Sequence, residues 1–350
     1  MVDFVAPAYK QLPELAIIEA LLAQVGSQGR VRSEVKVVWE NTGMPIYSLS
    51  LGPNDPTAPV LAVFAGVHGL ERVGTHVAIS YLETLLSLMH WDVQTQELLQ
   101  KVRVVFMPLI NPIGMYLLRR SNGNHVDLMR NAPIDAEELC RVPFVSGQRY
   151  SPKIPWYRGK LGDAMETEAQ AVVDFVRREI FGAKVAVSLD LHSGFGRIDR
   201  LWFPYAKAKR PFGKTKEIWC LKNLLDRTYP NHVYQVEPQA HQYTTHGDLW
   251  DYLYDLQAVE NPNHLYLPLC LEMGSWMWVK KNPRQLFSSL GIFNPFIEHR
   301  FKRVLRRHLA LLDFLLRAVG SSKNWLPQSE IEHTQHHHAA MKHWWPLLKP

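Results

Sequence analysis

A histidine and a glutamate lie three residues apart at the end of an apolar run in the segment LAVFAGVHGLERVG. Because the pair, His68 and Glu71, follows a predicted strand, both side chains can turn into one pocket. A neutral imidazole and a carboxylate are usual ligands of Zn²⁺. Taken alone, the pair also fits a turn histidine and a glutamate at a helix N-terminus, where the helix dipole favours negative charge.

A second apolar run, in VAVSLDLHSGFG, ends at His192, which lies 121 residues after Glu71. Its imidazole could complete a set of two histidines and one glutamate, and three protein ligands with an open fourth position are typical of a catalytic zinc site. Asp190 lies two residues earlier on the same face of the strand, where it can orient a ligand imidazole. The alternative for His192 is a buried histidine with satisfied hydrogen bonds.

Charged side chains also occur at the ends of two other apolar runs. In LYLPLCLEMGSW the run reaches Glu272, and a carboxylate is costly to bury there unless something pairs with it. Near a metal ion it could act as a general base on water. In INPIGMYLLRRSNGNHVDLMRNAP, a predicted turn is followed by Arg119, Arg120 and Arg130. Arginine forks pair with carboxylates and stabilise an oxyanion, whereas the alternative is a solvated basic loop.

The elements that must position these groups are predicted from the apolar periodicity. Near-continuous apolar runs predict buried strands at residues 61–65, 102–109, 185–191 and 265–271. Helical spacing predicts helices that begin near Gly74, after Asp163 as the N-cap, and near Ile297. Strands that alternate with helices predict a single α/β domain, an α/β/α sandwich with a mixed, mostly parallel sheet. Functional side chains are then expected at the carboxyl ends of the strands.

The composition of the 350 residues, 47% hydrophobic and 21% charged, excludes disorder, collagen and coiled coil. No apolar run approaches the about 20 residues of a membrane helix, and no basic region leads into an apolar stretch at the N-terminus. The three cysteines, Cys140, Cys220 and Cys270, lack paired spacing and fit a reducing compartment. We therefore expect a cytoplasmic protein without a membrane partner.

The formal charge of +6 and the basic run HRFKRVLRRH leave open a function of another class, a polyanion-binding protein with a vestigial site. Because all the ligand and base positions are intact, we expect no nucleic-acid partner. The basic run is expected to form a solvated helix face that carries Arg300, Lys302, Arg303, Arg306 and Arg307. The histidine- and tryptophan-rich residues 321–350 are expected to be a solvated or packed extension, with adventitious metal binding as the alternative.

In their order and spacing these segments resemble the zinc carboxypeptidases of the carboxypeptidase A superfamily, in a poorly characterised bacterial-type branch. The family carries a His-x-x-Glu after the first core strand, an Asn-Pro turn, an Arg-x-Asn followed by a Val-Asp-Leu stretch, a strand-end histidine and a late strand-end glutamate. The resemblance runs from about residue 59 to 320. It implies a catalytic domain at 56–320, an N-terminal extension at 1–55 that packs on the core, and a C-terminal extension at 321–350.

The resemblance implies a role for each matching residue. One Zn²⁺ per chain would be held by His68, Glu71 and His192. Glu272 would be the general base that deprotonates the attacking water and passes the proton to the leaving amine. Arg120 would polarise the scissile carbonyl and stabilise the oxyanion.

The resemblance also implies the residues that bind the substrate, a small peptide or an acyl-amino acid. Arg130 would bind its free carboxylate, Asn131 and Arg119 would be further substrate-binding residues, and Tyr243 would close over the substrate. One departure concerns Met129, which stands where the family has an asparagine, and a thioether cannot donate a hydrogen bond to a carboxylate. The family activity is hydrolysis of the peptide or amide bond next to a carboxylate-bearing residue, and Met129 keeps open an amidohydrolase for N-acyl amino acids or cell-wall peptides.

Overall fold

Eight strands form one mixed sheet in a computed structural model that describes residues 11–138 and 144–347. Cys140 and the outermost residues of both predicted extensions lie outside the described residues. The strands are β1 (Gly29–Trp39), β2 (Thr42–Leu51), β3 (Val60–Ala65), β4 (Arg103–Met107), β5 (Val185–Ser193), β6 (Arg200–Phe203), β7 (Gln235–Pro238) and β8 (Leu265–Met273). They lie in the order β1-β2-β4-β3-β5-β8-β6-β7.

The four strands predicted from the apolar runs are the centre of this sheet. β4, β3, β5 and β8 pair in parallel, and nearly all of their residues are buried. On their outer sides, β2 pairs with β4 and β6 pairs with β8, both antiparallel. The predicted mixed, mostly parallel sheet of a single α/β domain is thus confirmed. The outer strands were not predicted, because they are either short or partly exposed and do not form continuous apolar runs.

Ten α-helices connect and cover the strands in the described residues. They are α1 (Pro13–Gln24), α2 (Arg72–Trp91), α3 (Val93–Leu99), α4 (Pro112–Tyr116), α5 (Thr167–Glu179), α6 (Thr215–Thr228), α7 (Leu249–Glu260), α8 (Trp276–Lys281), α9 (Glu298–Gly320) and α10 (Glu330–Trp344). Helices α2 and α9 pack on β3 and β5 and are joined by a hydrogen bond from the Tyr81 hydroxyl to the Leu312 carbonyl at 3.3 Å. Phe64 of β3 instead contacts Phe175 of α5 and Trp250 of α7. Because side chains alternate along a strand, helices cover both faces of the sheet.

The predicted N-cap of α5 is wrong. The helix begins at Thr167, so its N-cap is Glu166 and not Asp163, and the Glu166 side chain makes no capping hydrogen bond. Glu166 has an extended backbone, and its N–H donates to Oδ1 of Asn131 at 2.6 Å. This tertiary contact holds the chain extended past Asp163 and delays the start of the helix.

Both predicted extensions contribute packed elements, while the division of the chain at residues 55 and 320 stays a prediction. The N-terminal part supplies α1, β1 and β2, and β2 pairs directly with β4. At the other end, α10 packs on α6, and the indole N–H groups of Trp344 and Trp345 donate to the carbonyls of Val236 and Lys209 at 3.0 and 2.8 Å. The C-terminal tryptophans are therefore packed against the edge of the sheet around β7.

The predicted basic face lies on α9. Four of its five cations are exposed, whereas Arg300 is partly buried. Lys302 pairs with Glu298 at 2.7 Å, and Arg307 pairs with Asp199 at 2.7 Å. In the described ranges, no helix is long and apolar enough to cross a membrane.

Candidate active site

His68, Glu71 and His192 come together at the carboxyl ends of two adjacent parallel strands. His68 and Glu71 lie in the turn between β3 and α2, and His192 lies near the end of β5, which pairs with β3. Gly69 is required in that turn, because a Cβ atom there would lie 2.0 Å from the backbone carbon of Gly114. The close approach of α4 thus sets the path of the chain between the first two predicted ligands.

The ligand atoms of the three residues face one another. His68 Nδ1 lies 2.8 Å from Glu71 Oε1, and His192 Nδ1 lies 3.2 Å from Glu71 Oε2. One donor atom from each residue lies within 4.8 Å of the other two, and all three residues are buried. Among the residues that the structure describes, this is the one group of three potential ligands that meets this distance.

The outer nitrogen of each imidazole contacts a second carboxylate. His68 Nε2 lies 3.1 Å from Asp127 Oδ1, and His192 Nε2 lies 2.5 Å from Asp190 Oδ2. Metal-binding histidines usually donate their outer N–H to a carboxylate or carbonyl, which directs the other nitrogen at the metal. His68 Nδ1 is buried and makes no hydrogen bond despite its closeness to Glu71. The donor set, the orientation of both rings and this unpartnered nitrogen fit a Zn²⁺ ion with an open fourth position.

The electrostatics of the site favour a cation. Burial raises the pKa of Glu71, but the neighbouring His68 and His192 outweigh it and hold that pKa well below its usual value. For His192, burial lowers the pKa, yet Asp190 and Glu71 raise it well above the usual range. Asp127, beside Arg120, also has a pKa far below its usual value in spite of burial. The ionised Glu71 therefore lies between the two inward-facing nitrogens, and the ionised Asp127 contacts the outer nitrogen of His68.

Arg120 lies beside the proposed ligands with its guanidinium held by two of the carboxylates. Its Nε donates to Asp127 Oδ2 at 2.9 Å, and its Nη1 donates to Glu71 Oε1 at 3.1 Å. The side chain is 23% exposed, so part of the guanidinium reaches the cavity. This geometry places a positive charge beside the three potential metal ligands.

Glu272 lies near the end of β8, directly opposite His192 of β5. Its Oε1 accepts a hydrogen bond from the Phe195 N–H at 2.9 Å. Burial, followed by the charge of Glu71, raises the pKa of Glu272 to about 8. A carboxyl group whose pKa lies near neutrality can both accept and release a proton at physiological pH.

A cavity of about 450 Å³ joins most of the predicted site residues. The predicted residues that line it are His68, Glu71, Arg120, Arg130, His192, Tyr243 and Glu272. Tyr243 forms one wall with two other rings, Phe195 at 5.7 Å and Trp202 at 6.0 Å between ring centroids. Burial raises the pKa of Tyr243 to about 12, so its hydroxyl stays protonated and can donate a hydrogen bond.

Arg130 is a buried cation on the cavity wall with unused hydrogen-bonding capacity. It is 3% exposed, its Nη1 donates to the Met129 carbonyl at 3.3 Å, and its Nε makes no hydrogen bond. The segment after Tyr243 packs on its backbone at Gly247, where φ is +66° and a Cβ atom would lie 1.9 Å from the Arg130 oxygen. Met129 lines the cavity beside Arg130. The pocket can therefore bind an anion through Arg130 without a polar side chain at position 129.

Two predicted substrate-binding residues do not line this cavity. The amide of Asn131 donates to the Arg158 carbonyl at 3.1 Å and accepts from the Glu166 N–H at 2.6 Å, which uses both of its ends. Arg119 lies over the ring of Trp39, with its guanidinium carbon 6.0 Å from the ring centroid. Both side chains are directed toward neighbouring loops and strands.

Three groups at the site received no role from the sequence. Asp127 lies inside the Val-Asp-Leu stretch, so the motif marked its position, and it bridges His68 and Arg120. The Phe195 N–H donates to Glu272. Nearly every residue has a backbone N–H, so the residue type does not indicate this contact. Trp250 donates its indole N–H to Asp190 Oδ2 at 2.8 Å. The two residues are 60 positions apart, so no local sequence pattern predicts this contact.

Comparison with known proteins finds a matching family. The model of the family described as Zinc carboxypeptidase matches residues 27–275 of this chain. Carboxypeptidase SOL1 of Arabidopsis thaliana is 32% identical over 101 residues, which cover 26% of this chain and 19% of that protein. Carboxypeptidase D of Homo sapiens is 29% identical over 91 residues, which cover 23% of this chain and 7% of that protein. The matched segments thus span about a fifth or less of these relatives.

The fold is similar to that of several solved structures. Bovine thrombin-activatable fibrinolysis inhibitor, solved in complex with tick carboxypeptidase inhibitor, superposes with a TM-score of 0.65 at 18% identity, over 90% of this chain and 97% of that one. Carboxypeptidase A from Helicoverpa armigera gives a TM-score of 0.60 at 15% identity, over 90% and 79% of the two chains. At these identities the similarity concerns the fold.

Proposed function

Because the chain belongs to the zinc carboxypeptidase family, we propose that it is a zinc metallopeptidase that hydrolyses the peptide or amide bond next to a residue with a free carboxylate. One observation carries this proposal. The three potential ligands, the buried Glu272 and the two arginines Arg120 and Arg130 line the same cavity of about 450 Å³. A cavity of this size accommodates a terminal residue together with its scissile bond.

In this proposal one Zn²⁺ per chain is held by His68, Glu71 and His192. When bound, Zn²⁺ supplies a Lewis acid that polarises a carbonyl and lowers the pKa of water from near 16 to about 7. The outer carboxylates, Asp127 and Asp190, keep both imidazoles oriented for this role. Gly69 keeps the first two ligands in one tight turn.

Glu272 is the proposed general base. The Phe195 N–H holds its Oε1, so the carboxylate is oriented while Oε2 is free of that bond. In this position Glu272 accepts a proton from the attacking water and passes it to the leaving amine. Arg120, held by Asp127 and Glu71, stabilises the negative charge that develops on the carbonyl oxygen.

Arg130 and Tyr243 are the proposed substrate-binding residues, and the occupant is a small peptide or an acyl-amino acid. The unpartnered Nε of Arg130 provides a charge-assisted hydrogen bond to a carboxylate in a site with little exposure to water. Tyr243 adds a protonated hydroxyl at the cavity wall. Together they would bind the C-terminal residue of a substrate and exclude the internal residues of a peptide from this part of the cavity.

A second candidate is an amidohydrolase for N-acyl amino acids or cell-wall peptides. It is favoured by Met129, which lines the cavity beside Arg130 and offers no donor to a carboxylate. We do not favour a polyanion-binding protein with a vestigial site, because the ligand and base positions are intact and two cations of the α9 face already form ion pairs. A cytoplasmic location stays a prediction.

A panel of substrates tests the proposed function. Purified, zinc-loaded protein is assayed on N-blocked dipeptides with free or amidated C-termini and on N-acyl amino acids. We expect hydrolysis of the free-carboxylate dipeptides, with kcat/KM at least about tenfold above that of the amidated forms, since a lost charge-assisted bond costs about 1.5–3 kcal/mol. Hydrolysis of N-acyl amino acids alone would favour the second candidate, and no hydrolysis of any of these substrates would contradict both.

A further inference from the structure

A single carboxylate oxygen of Asp190 accepts two hydrogen bonds. Asp190 Oδ2 accepts from His192 Nε2 at 2.5 Å and from the Trp250 indole N–H at 2.8 Å. Asp190 is fully buried, and its other oxygen makes no hydrogen bond. The side-chain carboxylate of Asp190 therefore accepts hydrogen bonds from one imidazole and one indole only.

Trp250 is held firmly enough to fix the position of this oxygen. Its backbone N–H donates to Asp248 Oδ1 at 3.1 Å, which caps α7, and its ring lies 4.7 Å from that of Phe64 between centroids. The side chain is buried at 5% exposure. Because an indole N–H can only donate, it cannot take the place of Asp190 as the acceptor for His192.

The second imidazole is supported differently from the first. Asp127, which contacts His68, also accepts from the charged Arg120 and from the Met129 N–H. Asp190 has only the neutral indole as a further partner, and no lysine or arginine in the described part of the chain pairs with it. The negative charge of Asp190 thus acts on His192 without a competing cation. The charge of Asp127, in contrast, is shared between His68 and Arg120.

We propose that Asp190 and Trp250 form a positioning pair that holds His192 ready to bind the metal. Asp190 keeps an imidazole proton on Nε2, so Nδ1, which faces Glu71, is the nitrogen that would bind the metal. Trp250 keeps Oδ2 of Asp190 in line with Nε2. This inference rests on the proposed zinc function of the site. In it, Trp250 affects metal binding by His192 only through Asp190.

The test measures Zn²⁺ affinity of the metal-free 350-residue chain by competition with a chromophoric chelator. We expect Asp190→Ala to weaken binding by about 10–100-fold, the usual effect of removing such an outer partner. Asp190→Asn keeps an acceptor but loses the charge, so it should give an intermediate loss and remain informative if Asp190→Ala fails to fold. Trp250→Phe keeps the ring but removes the donor, and it should weaken binding less than Asp190→Ala.

A double-mutant cycle separates positioning from packing. In an Asp190→Ala background, Trp250→Phe should change Zn²⁺ affinity by less than about twofold, because the partner through which it acts is gone. The matched control is Tyr266→Phe, which removes a buried hydrogen bond at 3.0 Å between Tyr266 of β8 and Ser188, which lies on β5 two residues before Asp190. It should lower the unfolding midpoint and leave Zn²⁺ affinity unchanged.

The positioning pair would be overturned if Asp190→Ala bound Zn²⁺ within about twofold of the wild-type affinity. It would also be overturned if Trp250→Phe changed Zn²⁺ affinity equally in the wild-type and Asp190→Ala backgrounds. A loss of Zn²⁺ affinity in Tyr266→Phe as large as that in Asp190→Ala would overturn it as well. Each leaves the proposed function intact if the wild-type chain binds Zn²⁺ and hydrolyses its substrate. A wild-type chain that binds no Zn²⁺ would instead overturn the proposed function, and the positioning pair with it.

Discussion

His192 and Glu272 are direct partners across the parallel strands β5 and β8. Neighbouring strands lie about 4.8 Å apart, so the hydrogen-bond ladder of the sheet sets the distance between a proposed metal ligand and the proposed general base. A shift of β8 by one residue in register would turn Glu272 to the face of the sheet opposite His192. The relative position of the two groups is therefore a property of the sheet core and not of a loop.

Glu272→Gln is expected to retain Zn²⁺ and lose most activity. The amide keeps the size of the side chain and can still accept from the Phe195 N–H, but it cannot take a proton from water. The expected fall in kcat is about 10² to 10⁴-fold, the usual contribution of a general base. Metal content by mass spectrometry and kcat on the free-carboxylate dipeptide check this, and near wild-type kcat in a metal-loaded variant would contradict the role of Glu272.

Removal of the metal is expected to abolish hydrolysis and to destabilise the fold. A ligand that binds only the folded state at 100 times its Kd adds about 2.7 kcal/mol to the free energy of unfolding. Urea unfolding with and without excess Zn²⁺ measures this difference. His68→Ala is the control, because a chain that lacks one of the three ligands should lose most of the Zn²⁺-dependent stabilisation. Equal stabilisation of the variant would place the ion elsewhere.

Arg130→Met is expected to raise KM for substrates with a free carboxylate. The variant loses a charge-assisted hydrogen bond worth about 1.5–3 kcal/mol, or about 10 to 150-fold in kcat/KM. The amidated forms should change little, so the ratio between free and amidated substrates collapses. Arg119→Met is the matched control, because that guanidinium lies over Trp39 outside the cavity. Similar losses in both variants would argue against a carboxylate site at Arg130.

Met129→Asn is expected to improve the use of free-carboxylate dipeptides. The substitution adds an amide donor next to Arg130 in the cavity wall, and one added hydrogen bond is worth about 0.5–1.5 kcal/mol, or about 2 to 12-fold in kcat/KM. Steady-state kinetics on the same substrate panel measures the change. A loss on these substrates, together with intact hydrolysis of N-acyl amino acids, would show that position 129 is adapted to a different ligand.

His308 is expected to make the fold sensitive to mild acid. It is buried on α9, with Nδ1 3.0 Å from the Tyr234 hydroxyl, and burial lowers its pKa from 6.5 to about 4. The unfolded chain therefore binds this proton at a higher pH than the folded chain. The stability is complete above pH 6.5 and declines as the pH falls toward 4, by about 2 kcal/mol at pH 5.

The comparison of wild type with His308→Gln isolates this contribution, because other acid-sensitive groups are common to both chains. Urea unfolding at pH 7.5 and pH 5 gives the loss of stability for each. We expect the variant, whose amide does not titrate, to lose about 2 kcal/mol less than wild type over this interval. Equal losses in the two chains would show that His308 does not carry the effect.

Much of the central sheet was predictable because its signal is local. The apolar runs that became β3, β4, β5 and β8 exclude water on both faces of a strand, and this requirement is visible in consecutive residues. The same runs predicted where His68, Glu71, His192 and Glu272 would meet, since parallel strands deliver their carboxyl ends to one edge. The outer strands were missed because β6 and β7 are only four residues long, and because polar residues interrupt the apolar runs of β1 and β2.

The sequence by itself determined the donor types at the site and their place at strand ends, because residue identity and strand periodicity are properties of short segments. Only the tertiary structure decided which of the nearby polar groups reach the cavity. Arg120 and Arg119 are adjacent in the chain, yet one binds Asp127 and Glu71 while the other lies over Trp39. Asn131 holds the start of α5, and Trp250 reaches Asp190 across 60 residues. Such choices depend on hydrogen bonds and packing between distant segments, which form only when the sheet and its helices have assembled.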